Sequence, residues 1–145
     1  MFVQVLKFYR FADNRHQIQR VDAPCWEEIE AAIREMNGET RTAVTIAMSA
    51  ESEENMTYTL TVGGGLDGQY TCSAGLGDRD TIHNLLDRAR EGVAGAALMP
   101  IGLQWFEVAS REIVSLDDVL PAVRAYAERG EIDPRLTWDV VNPYA

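Results

Sequence analysis

Seven consecutive residues, Met56 to Val62, alternate without exception: Met56, Tyr58, Leu60 and Val62 are separated by Thr57, Thr59 and Thr61. Period-two patterning of this kind puts the large side chains on one face of a β-strand and the hydroxyls on the other. It specifies a sheet with one covered face and one open or thinly covered face, the habit of antiparallel sheets. The glycines from Gly63 to Gly68 follow directly, and Gln69 to Ala74 reads as the return strand of a hairpin.

The remaining segments supply the rest of such a sheet and its cover. At the start, Phe2, Gln4, Leu6, Phe8 and Arg10 share one strand face, Ala12-Asp13-Asn14 turns the chain, and Gln17 to Val21 returns. Asp22 and Pro24 open a helix in which Trp26, Ile29, Ile33 and Met36 recur at helical spacing, with Gly38 as its stop. Ala43 to Ala50 alternates through Val44, Ile46 and Met48, and Glu51 to Asn55 reads as a polar connection. From Asp80 the spacing of Ile82, Leu85, Leu86 and Ala89 predicts a helix, whereas Gly92 to Gly102 has no period and stays unassigned. Leu103 to Ala109 reads as a strand carrying Trp105.

Ser115-Leu116-Asp117-Asp118 is a partial capping box opening a helix with Leu116, Val119, Leu120, Val123 and Ala127 as its apolar stripe. Pro121 lies deeper than the first turn and predicts a distorted start. Gly130 ends the helix, Asp133-Pro134 turns the chain, and Leu136 to Val141 adds a last strand. The expectation is one α+β domain over residues 1–145, a mostly antiparallel, twisted sheet with two or three helices packed on one side. Trp26, Ile29, Ile33, Leu60, Val62, Val119, Leu120 and Val123 are its expected core.

Composition narrows the function. At 145 residues, 46% hydrophobic and 25% charged, the chain is globular in make-up. Gly92 to Phe106, its longest uncharged stretch, falls short of the roughly 18 apolar residues of a membrane span. The alternating Met1 to Phe11, with Lys7 and Arg10, lacks the apolar run of a signal peptide, so a soluble cytoplasmic protein is expected. Thirteen basic against 23 acidic residues give a net charge of −10, which argues against a nucleic-acid binder. Most of that excess lies beyond residue 50, where seven basic residues face 16 acidic ones. Such a field favours cationic partners.

No motif assembles a catalytic centre. The glycine run lacks the Lys-Ser/Thr of a phosphate loop and leads into a strand rather than a helix. His16 and His83 have neither a nearby cysteine nor an i, i+4 partner suited to a metal. Cys25 opens a helix, where the dipole activates thiols, but Glu27 and Glu28 beside it oppose that. Cys72 alternates with Tyr70 and Ala74 as core. Carboxylate pairs such as Asp78 with Asp80 read as loops and helix starts. Neither a cofactor nor a metal is expected.

Taken in order, several segments resemble one family. Leu60-Thr61-Val62-Gly63-Gly64-Gly65 and Asp67-Gly68-Gln69-Tyr70 are similar to the central hairpin of immunity protein family 1 of bacterial polymorphic toxin systems. Trp26-Glu27-Glu28-Ile29 fits its opening helix. Ser115-Leu116-Asp117-Asp118, Ala125-Tyr126, Gly130, Asp133-Pro134, Leu136 and Trp138 fit its tail. The resemblance covers about Asp22 to Val140, and residues 1–21 and 92–102 add nothing to it.

The resemblance implies a non-enzymatic inhibitor, a monomer or weak dimer that binds a cognate toxin's catalytic domain, often a nuclease or nucleic-acid deaminase. Neither nucleic acid nor membrane is an expected partner. Basic toxin clefts suit an acidic inhibitor, so charge and aromatic type select Asp67, Tyr70, Asp78, Asp80, Trp105 and Glu107 as toxin-binding candidates. Trp26 and Trp138 are expected in the core. Two other classes stay open: a small-molecule binder or enzyme with a pocket between helices and sheet, and a self-associating module using the Thr57/Thr59/Thr61 face or an edge strand.

Overall fold

The computed structural model describes residues 1–77, 80–90 and 92–142. Seven strands form one sheet: β1 (Val5–Ala12), β2 (Arg15–Asp22), β3 (Ala43–Ala47), β4 (Thr59–Gly64), β5 (Tyr70–Ala74), β6 (Ile82–Leu86) and β9 (Thr137–Val141). Their spatial order is β2-β1-β3-β4-β5-β6-β9, and every neighbouring pair is antiparallel. A separate hairpin pairs β7 (Ala96–Ile101) with β8 (Gln104–Ala109). The helices are α1 (Trp26–Arg34), α2 (Ala50–Asn55) and α3 (Leu116–Arg129). None among the described residues is long and apolar enough to cross a membrane.

Local chemistry explains the pairing. Asp13 and Asn14 both take positive φ, 53° and 60°, the conformation a two-residue turn needs to match the twist of β1 and β2. On one side of the sheet, Leu6, Ile46, Leu60 and Ala74 lie directly opposite one another across four strands, and Phe8, Val44, Val62 and Cys72 form the next row. α1 and α3 cover these rows with Trp26, Ile29, Ile33, Val119, Val123 and Tyr126. All the expected core residues are buried except Leu120, which is half-buried against that cluster.

The other face is polar. One residue from each strand forms an unbroken row in register: Arg20, Lys7, Thr45, Thr61, Ser73, Asn84 and Asp139. Thr45 and Thr61 share a hydroxyl hydrogen bond of 3.3 Å, and the Ser73 hydroxyl donates to Asn84 Oδ1 at 2.6 Å. The short α2 lies on this side, where the Thr59 hydroxyl donates to the Ser52 carbonyl at 3.2 Å and Lys7 pairs with Glu53.

Four expectations are corrected. The apolar residues after Asp80 form strand β6 rather than a helix; Leu85 joins the core while Leu86 is buried from the polar side. Glu51 to Asn55 is helical, because the Ser49 hydroxyl accepts from the Ser52 N–H at 3.0 Å and caps α2. Met56 therefore ends that helix, exposed and at φ 54°, and is not part of the strand. Ser115 makes no side-chain cap; the reciprocal carboxylate bond occurs instead at α1, where Glu28 Oε1 accepts from the Cys25 N–H at 3.1 Å. α3 is helical from Leu116 through Pro121, which has no N–H to give the Asp117 carbonyl, and its first turn carries the expected distortion. There the Ser115 carbonyl accepts from the Asp118 N–H at 3.2 Å, a 3₁₀-type bond, as well as from Val119 at 3.0 Å. The unassigned 92–102 segment contains β7.

Candidate protein-docking site

Strands β7 and β8 are joined by Gly102-Leu103, with Gly102 at φ 63°. Alternation gives the hairpin an inner and an outer face. Met99, Ile101 and Val108 point inward and pack with Ile113 in a second small cluster. Ile101 rests on Gly63: a Cβ there would stand 2.7 Å from Ile101 Cγ1, so only glycine lets the hairpin sit this close. The Thr42 hydroxyl pins the tip by donating to the Gly102 carbonyl at 2.7 Å. Gly63 follows Thr61 on the polar face, so the hairpin stands on the side of the sheet away from α1 and α3.

Outward, the hairpin is apolar and uncovered. Leu98 is 69% exposed and Trp105 65%, with Glu107 directly opposite Leu98. Leu103 at the turn is exposed as well, and so is Phe106, although it pairs with Met99 and therefore shares the inner face. Large apolar side chains gathered on one small element in this way mark an interaction surface.

Beside the hairpin tip is an open cleft of ≈ 440 Å³. Its lining includes Trp105, Leu103, His16 of β2, Glu39 and Leu66. The loop carrying Glu39 is shaped by Asn37, whose Oδ1 accepts from the N–H groups of Glu39, Thr40 and Arg41 at 2.9, 2.9 and 3.0 Å. Gly38, expected to stop α1, instead serves close approach: a Cβ there would lie 2.3 Å from Leu66 Cβ. His16 is held by its ring contact with Phe11 at 5.0 Å. Glu39, Asp67 and Glu107 make no ion pair among the described residues, whereas Glu30, Glu35, Glu53 and Glu128 all do.

The sequence-selected residues divide accordingly. Trp105 lines the cleft, Asp67 is exposed next to the lining residue Leu66, and Glu107 is on the outer hairpin face. Asp80 is exposed but belongs to the connection at the other end of β5, away from the Gly65–Gly68 turn. Asp78 lies outside the described residues. Tyr70 is corrected from an exposed anchor to a core residue: it is 5% exposed, burial raises its phenol above the ordinary tyrosine range, and its backbone exchanges hydrogen bonds with Val114 at 2.9 and 2.8 Å. Leu98, Leu103, Phe106, His16 and Glu39 were not singled out from sequence. The available signal was Gly102-Leu103 between two six-residue runs, the spacing of a hairpin turn.

The reactive side chains considered from the sequence do not come together at this surface. His16 is in edge strand β2 and His83 in β6, five places along the sheet. At Cys25 the Glu28 N–H favours the thiolate, but the Glu28 and Glu27 carboxylates outweigh it and the thiol is raised. Burial pushes the Cys72 thiol up to about 12. Among the described residues, no three His, Cys, Asp or Glu side chains gather as metal ligands would. The space between helices and sheet, where a small-molecule pocket was an open alternative, is occupied by the core cluster.

No curated protein matches the chain. A family model described as Immunity protein Imm1 matches residues 17–139, a span that begins in β2, ends in β9 and takes in all three helices and the β7–β8 hairpin. The chain belongs to the Imm1 immunity protein family.

Proposed function

We propose that this protein binds the catalytic domain of a cognate bacterial toxin and inhibits it by occupancy, without chemistry of its own. The family match carries this reading. The toxin we infer is one that acts on nucleic acid, a nuclease or a deaminase, because the inhibitor's charge of −10 complements the basic cleft such enzymes present to phosphates. The docking surface we assign is the outer face of the β7–β8 hairpin with the adjoining Asp67 turn. Trp105 and Leu98 are its apolar anchors, and Glu107 and Asp67 are its charged rim.

The test is co-expression with the toxin domain encoded immediately beside this gene. Survival of cells producing both, together with a stable complex on size-exclusion chromatography, supports the proposal. Toxicity unrelieved by this protein, with no complex formed, overturns it.

A further inference from the structure

We propose that the cleft lined by Trp105 and Glu39 receives one arginine side chain projecting from the toxin domain. The proposal rests on the immunity reading and deepens it by naming the group that is gripped. The cleft lining combines two apolar side chains, Leu66 and Leu103, with Trp105, which is 65% exposed, and a single carboxylate, Glu39. An arginine matches that combination, since its aliphatic stem packs on apolar surface while its planar guanidinium stacks on a ring and pairs with a carboxylate.

The charges around the cleft select a cation. Among the described residues Glu39 is without an ion-pair partner, and the other titratable lining group is His16. Arg41, the nearest guanidinium in sequence, is already paired with Glu35. Arg10 and Arg15 alternate onto the side of β1 and β2 opposite Phe11 and His16, which are in contact through their rings. Asp67, beside Leu66, adds a second carboxylate that is without an ion pair among the described residues. The fold itself contains the proposed pairing elsewhere: Arg124 stands over the Trp26 ring, 5.4 Å from its centroid. An anion would meet Glu39 and Asp67, and an uncharged apolar group would leave the carboxylate unanswered.

The probe is N-acetyl-arginine amide, titrated into the full chain and followed by the indole N–H of Trp105 in 1H–15N spectra. N-acetyl-citrulline amide, of the same shape but uncharged, is the control. We expect saturable shifts confined to the cleft, about tenfold weaker for citrulline and about tenfold weaker in Glu39→Gln. Glu128→Gln, on the exposed side of α3, should leave them unchanged. Equal binding of citrulline, shifts scattered over the acidic surface, or full binding by Glu39→Gln would overturn the proposal.

A second measurement separates it from the immunity reading. If the unaltered protein binds the toxin domain and Glu39→Gln binds as tightly, the cleft assignment falls and immunity stands. If the unaltered protein does not bind the toxin at all, immunity falls, and the toxin as source of the arginine falls with it, even where the capped arginine still binds.

Discussion

The phenol of Tyr126 donates to the carbonyl of Gly75 across a buried 2.6 Å hydrogen bond. It joins the helix-side core to the chain leaving β5, 51 residues away in sequence. Tyr126 is fully buried, Phe2 meets its ring edge-on, and burial raises its hydroxyl far above the ordinary tyrosine range, so it remains a donor. Tyr126→Phe keeps the ring and strands the Gly75 carbonyl. We expect a loss of about 1–3 kcal/mol in urea unfolding, with the denaturant slope unchanged. An unaltered midpoint would show that the bond contributes nothing net.

The seating of the hairpin on Gly63 yields a paired test. Gly63→Ala drives a methyl into Ile101 and should cost about 1–3 kcal/mol through overpacking. Ile101→Ala removes all three atoms that methyl would meet, so the double variant Gly63→Ala/Ile101→Ala should escape the overpacking loss. The two changes should therefore be non-additive in a thermodynamic cycle. Strict additivity would mean that Ile101 and Gly63 are not in contact in solution.

What could be read in the sequence was what repeated within one element. The Leu60 and Val62 alternation, the Asp13-Asn14 turn and the stripe from Leu116 to Ala127 each carry their period locally, and each corresponds to an element. β6 did not, because Leu85 and Leu86 are both buried, from opposite sides of the sheet, and adjacent buried residues fit a helical spacing as well as a strand. β7 was hidden for a related reason: Ala96, Ala97 and Leu98 are exposed yet apolar, so burial and hydrophobicity part company along it. That mismatch falls on the surface proposed for docking. Tyr70 shows the reverse error, for its alternation with Cys72 and Ala74 already placed it in the core. Glu39 and His16 come beside Trp105 only through tertiary packing, which no local pattern encodes.

The turn after α3 sets a pH dependence. Asp133 is buried, and its Oδ1 accepts from the Arg135 Nε and backbone N–H, both at 3.0 Å, while Oδ2 accepts from Nη2 at 2.7 Å. The Arg135 side-chain bonds, then its backbone N–H, hold this carboxyl below the usual aspartate value. Because the folded value is depressed, the stabilisation is complete above the ordinary carboxylate pKa. It disappears as pH falls below about 4 toward the lowered value. Asp133→Asn should therefore lower the Tm at pH 7 and flatten its dependence on pH in that acid range. An acid limb as steep as in the unaltered protein would assign the effect to other carboxylates.

Burial predicts a different residue size-dependence within the core. Leu60 is 1% exposed among Ile46, Val62 and their helical cover, so Leu60→Ala should cost about 2–5 kcal/mol. Leu120, although on the same apolar stripe as Val119 and Val123, is half-buried, and Leu120→Ala should cost distinctly less. Equal losses in guanidinium unfolding would contradict this placement of α3.

The docking surface makes a kinetic prediction for the toxin complex. Exposed carboxylates at the rim act mainly while the partners approach, through a field that salt screens, whereas a desolvated aromatic acts mainly once the complex has closed. Neutralising Asp67 and Glu107 together, as Asp67→Asn/Glu107→Gln, should slow association and weaken its salt dependence with little change in dissociation. Trp105→Ala should do the opposite, speeding dissociation at a cost on the order of 2 kcal/mol or more, with Leu98→Ala in the same direction. Tyr70→Phe, whose ring stays in the core, should alter neither rate. Stopped-flow association at low and high salt, with dissociation by competition, resolves the two effects. Unchanged rates in both the hairpin and carboxylate variants, against a toxin that the unaltered protein still binds, would move the interface to another face of the sheet.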